Sequence, residues 1–136
     1  MNNRAVVFGL AALAAAVAVS GARGAPPHRG PVVFVQTNES GGNRIVTYDV
    51  AGTGALSQAG VFATGGNGGA AQPGTESDRL ASQGSLAYDA AHRLLFAVNA
   101  GSNTVSTFTV NGDTLHLESV ISAGGDFPAS IAVSGT

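Results

Sequence analysis

Three histidines, eight carboxylates and six basic residues are the groups in this 136-residue sequence that could do acid–base or electrostatic chemistry. His28 stands in a Pro-rich stretch, His92 in the tight turn Asp89-Ala90-Ala91-His92-Arg93, and His116 between Leu115 and Leu117. A metal site wants ligands that converge, such as His at i and i+4 on a helix or i and i+2 on a strand. This spacing supplies none, and the absence of cysteine excludes thiolate sites and disulfides. His92 is expected to shape its turn with Asp89, whose carboxylate can accept from nearby backbone amides. Glu39, Asp49, Asp89 and Asp113 fall at strand ends or in turns and are not paired for general acid–base work. The run Gly65 to Gly74 (GGNGGAAQPG) has the glycines of a phosphate cradle, but a P-loop needs Gly-Lys-Ser/Thr and the sequence has no lysine. No Gly-x-Ser-x-Gly elbow occurs. No catalytic set, metal site or cofactor is therefore assigned.

The elements that must position these groups are strands. Runs rich in Val, Ile, Thr, Phe and Tyr alternate with Gly, Asn, Asp and Ser clusters from about residue 31 to the end. Only Ser77 to Ser82 (SDRLAS) could make a helical turn. An internal repeat organises the strands. Val33-Phe34-Val35 corresponds to Leu95-Phe96-Ala97, and the segment from Asn43 to Val50 to that from Asn103 to Val110. Leu56 to Gly66 (LSQAGVFATGG) then corresponds to Leu115 to Gly125 (LHLESVISAGG). A further segment at 85–89, echoed at 130–134, completes a unit with strands at 85–89, 94–98, 104–110 and 115–122. Four short strands in roughly 40 residues match a propeller blade, whose sheet buries both faces by stacking on its neighbours.

The N-terminus reads as an export signal. Arg4 precedes the apolar run Ala5 to Val19, whose 15 residues are short for a membrane span. Ala22 and Gly24 suit a cleavage before Ala25, giving a signal peptide at 1–24. Cleavage leaves Arg29, Arg44, Arg79 and Arg93 against eight carboxylates, a net charge of −4 with neutral histidine. Such a chain repels phosphate backbones, so no nucleic-acid partner is expected, nor a stable membrane association after cleavage. The expected order is a Pro-rich leader at 25–31, a first blade at 32–66 lacking its first strand, and a Gly-rich inter-blade loop at 67–84. A second blade at 85–125 and the start of a third at 126–136 follow, so the sequence reads as a fragment.

The blade at 82–105, with Leu95-Phe96-Ala97-Val98-Asn99-Ala100-Gly101-Ser102-Asn103-Thr104-Val105, resembles those of the lactonase-type propellers. The link Gly124-Gly125-Asp126-Phe127-Pro128-Ala129-Ser130-Ile131-Ala132-Val133 is similar to theirs as well. That family includes 6-phosphogluconolactonase and the 3-carboxymuconate cyclases. The resemblance implies an all-β fold of four-stranded antiparallel meanders, with about two of seven blades present. It implies an exported lactonase or cyclase whose substrate is a small lactone or unsaturated acid, with catalytic residues mostly in blades beyond these. The alternative is a non-catalytic exported propeller that binds a ligand or partner protein. In either case the loops between second and third strands share one rim, and Glu39, Asn43, Asn99, Ser102 and Asn103 are its ligand-binding candidates. The long loop adds Gln83, with Glu76, Asp78 and Arg79.

Overall fold

A computed structural model describes residues 30–70, 80 and 84–134. The signal segment 1–24, most of the leader and most of the Gly-rich loop lie outside the described residues. So do Glu76, Asp78, Arg79 and Gln83.

The chain is all-β. Seven strands run in order: β1 (Val32–Gln36), β2 (Arg44–Val50), β3 (Leu56–Ala63), β4 (Leu86–Asp89), β5 (Leu94–Asn99), β6 (Thr104–Asn111) and β7 (Thr114–Ser122). They form two antiparallel meanders, a three-stranded sheet β1-β2-β3 and a four-stranded sheet β4-β5-β6-β7, the arrangement of partial propeller blades. Local chemistry sets the hairpins. Between β6 and β7 the two-residue loop Gly112-Asp113 has φ +63° at the glycine, the position where a tight hairpin turn calls for a residue without Cβ.

The two sheets repeat one another register for register. Val33 pairs with Tyr48 as Leu95 pairs with Phe108, and Phe34 with Thr47 as Phe96 with Thr107. Even the irregularity recurs. A bulge follows Thr47, leaving Ala59 unopposed, and a bulge follows Thr107, leaving Glu118 unopposed. A bulge adds local twist and re-aims the side chains beyond it, so its recurrence gives both sheets the same bend. The glycines closing each unit, Gly65 and Gly124, share a left-handed backbone at φ +78° and +75°.

Alternation along the strands gives each sheet a front and a back. The second sheet turns its front (Leu95, Ala97, Phe108, Val110 and Leu115) onto the back of the first (Phe34, Ile45 and Phe62), forming one apolar core. Phe108, Ile45 and Leu95 are its largest wholly buried apolar side chains. Each contributes about 1.5–3 kcal/mol by leaving water. Leu86 of β4 joins the core edge, and Tyr88 tilts against Phe34 with ring centroids 5.7 Å apart.

One expected strand is not formed. Residues 130–134 have no ladder, because no strand lies beside them among the described residues to pair with. The segment is held beside the start of β4 by a bond from Ile131 N to Gly84 O at 2.8 Å.

Candidate binding rim

In a meander the β1–β2 and β5–β6 loops and the segments following β3 and β7 all emerge at one end. The turns β2–β3, β4–β5 and β6–β7 emerge at the other. The first end is the candidate binding rim, and buried polar side chains fuse it into one body.

Asn43 opens β2, and its Oδ1 accepts from Asn38 N at 2.9 Å. Its Nδ2 crosses to the second sheet, donating to Val98 O at 3.1 Å and Asn99 Oδ1 at 2.9 Å. Asn99 Oδ1 also accepts from Thr64 Oγ1 at 2.7 Å, while its Nδ2 donates to Ser106 Oγ at 2.7 Å and Thr104 Oγ1 at 3.1 Å. Ser106 Oγ in turn donates to Thr64 O at 2.7 Å. Asn43, Asn99, Thr64 and Ser106 are essentially without exposure. A buried amide leaves no hydrogen-bonding group unmet at low cost, so a closed network of this kind fixes its members in one arrangement.

The Gly-rich segment is threaded into this joint. Asn38 grips Gly69 from both sides, Nδ2 donating to its carbonyl at 2.8 Å and Oδ1 accepting from its amide at 3.0 Å. Gly101 N donates to Asn67 O at 3.0 Å. At Gly68 a Cβ would overlap the Asn38 backbone, and at Gly101 it would overlap the carbonyl of Gly68. Gly68 and Gly101 stand where two backbones pass in contact, which leaves no room for a Cβ at either.

The sequence candidates therefore meet, but in two layers. Asn43 and Asn99 touch, and lie below the surface as the joint itself, with no face open to a ligand. Above them, Glu39 and Arg44 form an exposed ion pair at 3.1 Å. A pair this open contributes about 0.2–1 kcal/mol and parts readily for another charge. Ser102 Oγ accepts from Asn67 N at 3.0 Å. Asn103 repeats the place of Asn43: its carbonyl accepts from Ala123 N as that of Asn43 accepts from Thr64 N. Its side chain stays at the surface and binds the last segment, accepting from Phe127 N at 2.9 Å and donating to Asp126 Oδ1 at 3.0 Å. Gln83 lies outside the described residues.

Sequence reading missed Thr64, Ser106 and Asn38. The readable sign was Ser106 two residues before Phe108, a polar side chain on the face that carries the core.

The His92–Asp89 pair lies at the opposite end, separated from the rim by the six residues of β5, about 20 Å of strand. Asp89 Oδ1 accepts from Ala91 N at 2.9 Å and His92 N at 3.1 Å, and Oδ2 lies 2.6 Å from His92 Nδ1. These bonds, that of the His92 side chain first, hold the Asp89 carboxyl below its usual range. This is the turn-shaping role expected from the sequence. A second pair, His116 with Glu118 at 3.2 Å, sits exposed on β7, where Thr109 Oγ1 also donates to Glu118. Among the described residues no three His, Asp or Glu side chains gather to hold a metal ion, and no helix is long and apolar enough to cross a membrane.

Chemically, the rim offers one guanidinium (Arg44), two carboxylates (Glu39 and Asp126), a hydroxyl and an amide on a rigid base. That set can orient a small polar or anionic group. Comparison with family models, with curated proteins and with solved structures finds no match.

Proposed function

We propose that the chain is an exported propeller-type module that binds a small carboxylate- or lactone-bearing ligand on its loop rim without turning it over. The observation that carries this reading is the Asn43–Asn99 joint, which locks the loops bearing Arg44, Ser102 and Asn103 to one base before any ligand arrives. Preorganisation of that kind favours recognition, since little ordering remains to be done on binding. Arg44 is the group that would meet a carboxylate, by exchanging its exposed partner Glu39.

The lactonase or cyclase reading rests on the resemblance of 82–105 and 124–133. Such chemistry asks for an acid–base pair beside the bound ring. His92 and Asp89 are at the far end of the strands from the rim. Binding without turnover is therefore the better-supported reading for these two sheets.

The test is titration of isotope-labelled protein with a muconate-type unsaturated diacid and a six-membered sugar lactone, with lactone hydrolysis assayed on the same sample. The expected result is amide shifts at Arg44, Ser102 and Asn103, lost in Arg44→Ala, with hydrolysis at the buffer rate. Shifts confined to the His92 turn would contradict rim binding. Hydrolysis that disappears in a Glu39→Ala, His92→Ala double variant would favour the enzyme.

A further inference from the structure

The repeat has an unequal consequence for its two ends. The core is made by the front of one unit (Leu95, Ala97, Phe108, Val110 and Leu115) against the back of the other (Phe34, Ile45 and Phe62). By the shared register, the front of the first sheet presents Val33, Val35, Tyr48, Val50 and Leu56 at the places of those five front residues. The back of the second sheet presents Phe96, Val105 and Ile121 at the places of Phe34, Ile45 and Phe62. Neither surface is packed against another sheet among the described residues. Val33, Val35, Leu56 and Val61 on the front, and Ile121 on the back, are exposed.

The strand edges mismatch in the same sense. β5 has β4 beside it, whereas β1, its counterpart, has no such inner neighbour among the described residues. Residues 130–134 repeat the pattern of 85–89 and are already held next to β4 through Ile131 and Gly84, yet have no β1-like strand to pair with among the described residues. An unpaired strand edge and an unpaired strand are complementary.

We propose that the chain assembles head to tail with further copies of itself. The front of the first sheet of one copy seats on the back of the second sheet of the preceding copy. Residues 130–134 of that preceding copy enter beside β1 as its inner strand. One contact thus covers both apolar faces and pairs both strand edges that have no partner among the described residues. Its geometry is the one already present inside each chain, between its own two sheets. Such a contact is heterologous: each copy uses two different surfaces, and assembly continues until a ring closes or a filament forms.

The faces can be blocked one at a time where the chain's own fold is untouched. Val61 is 50% exposed on the front and Ile121 59% exposed on the back, so Val61→Glu and Ile121→Glu each place a charge in solvent in the isolated chain. The mass of the protein from Ala25 onward and of both variants is measured by sedimentation across a hundredfold concentration range, with circular dichroism confirming retained strand content. The parent is expected to self-associate and each variant alone to be monomeric. An equimolar mixture of the two should form a one-to-one dimer, because only the unblocked front of one and the unblocked back of the other can meet. If either variant loses its strand content, Val35→Thr or Val105→Thr replaces it on the same face. A monomeric parent overturns the proposal. So does association that survives in the Ile121 variant, which would mean front-to-front pairing or contact elsewhere.

Discussion

Asn43 in the first sheet donates to Asn99 Oδ1 in the second at 2.9 Å, and neither side chain has appreciable access to solvent. Substituting Asn99 with Ala removes the acceptor for Asn43 and Thr64 and the donor for Ser106 and Thr104. Stranding buried polar groups costs about 1–3 kcal/mol each. Asn99→Ala is therefore expected to lower unfolding stability by about 3 kcal/mol or more in urea titration, against little change for the exposed control Ser57→Ala. Equal effects from the two substitutions would remove the joint from the account.

The glycines separate by environment. A Cβ at Gly101 would overlap the Gly68 carbonyl, which is backbone and cannot rotate away, whereas at Gly125 it would meet nothing within 4 Å. Gly101→Ala is expected to cost at least about 2 kcal/mol and to disturb amide shifts across 66–70, while Gly125→Ala stays within about 0.5 kcal/mol of the parent. Thermal melts of the two variants, with their amide spectra, make the comparison.

How much of this was legible beforehand differs by level. The strands, their order and the repeat were readable, because Val33-Phe34-Val35 and Leu95-Phe96-Ala97 carry the same alternation and both units end in Gly-Gly. Alternation reports which face a residue takes, and that is fixed locally. It does not report how far below the surface a loop residue sits. Asn43 and Asn103 hold corresponding places in the repeat, yet Asn43 is sealed by Val98 and Asn99 of the following sheet, while Asn103 stays at the surface and binds Asp126 and Phe127. Burial of that kind depends on what stacks over the residue, which no local pattern encodes. Residues 130–134 show the same limit: they have strand composition, but a strand also needs a neighbour.

Asp89 gives the fold an acid-sensitive turn. Its carboxyl is held below the ordinary aspartate range because the folded chain hydrogen-bonds the charged form, first through His92. A depressed folded value contributes stability that is present above the unfolded value and lost as pH falls through the folded one. Asp89→Asn is therefore expected to lower the melting temperature at pH 6 and to narrow its difference from the parent in acid, once the carboxyl is protonated in the folded chain. A difference that stays constant between those conditions would remove the Asp89 bonds as its cause.

The proposed export makes a covalent prediction. Expressed with residues 1–24 in place in a secreting host, the protein should appear outside the cytoplasm beginning at Ala25. Ala22→Leu or Gly24→Leu should leave the segment attached, since cleavage requires small residues at both places. Intact-mass spectrometry reads the outcome directly. Full-length protein retained in the cytoplasm would contradict the reading.

The central claim is that the front of one repeat packs on the back of the other. Through-space proton contacts in isotope-labelled protein test it most directly, with mixed-label samples separating contacts within a chain from those between copies. The stacking predicts contacts within one chain between the Phe34 and Tyr88 rings, whose centroids are 5.7 Å apart. It also predicts contacts between the Gly65 α protons and a Val120 methyl, which lies 3.0 Å from where a Gly65 Cβ would stand. Intrachain contacts from Val33 or Val35 to Tyr88 in their place would mean that the first sheet faces the other way, and would contradict the account.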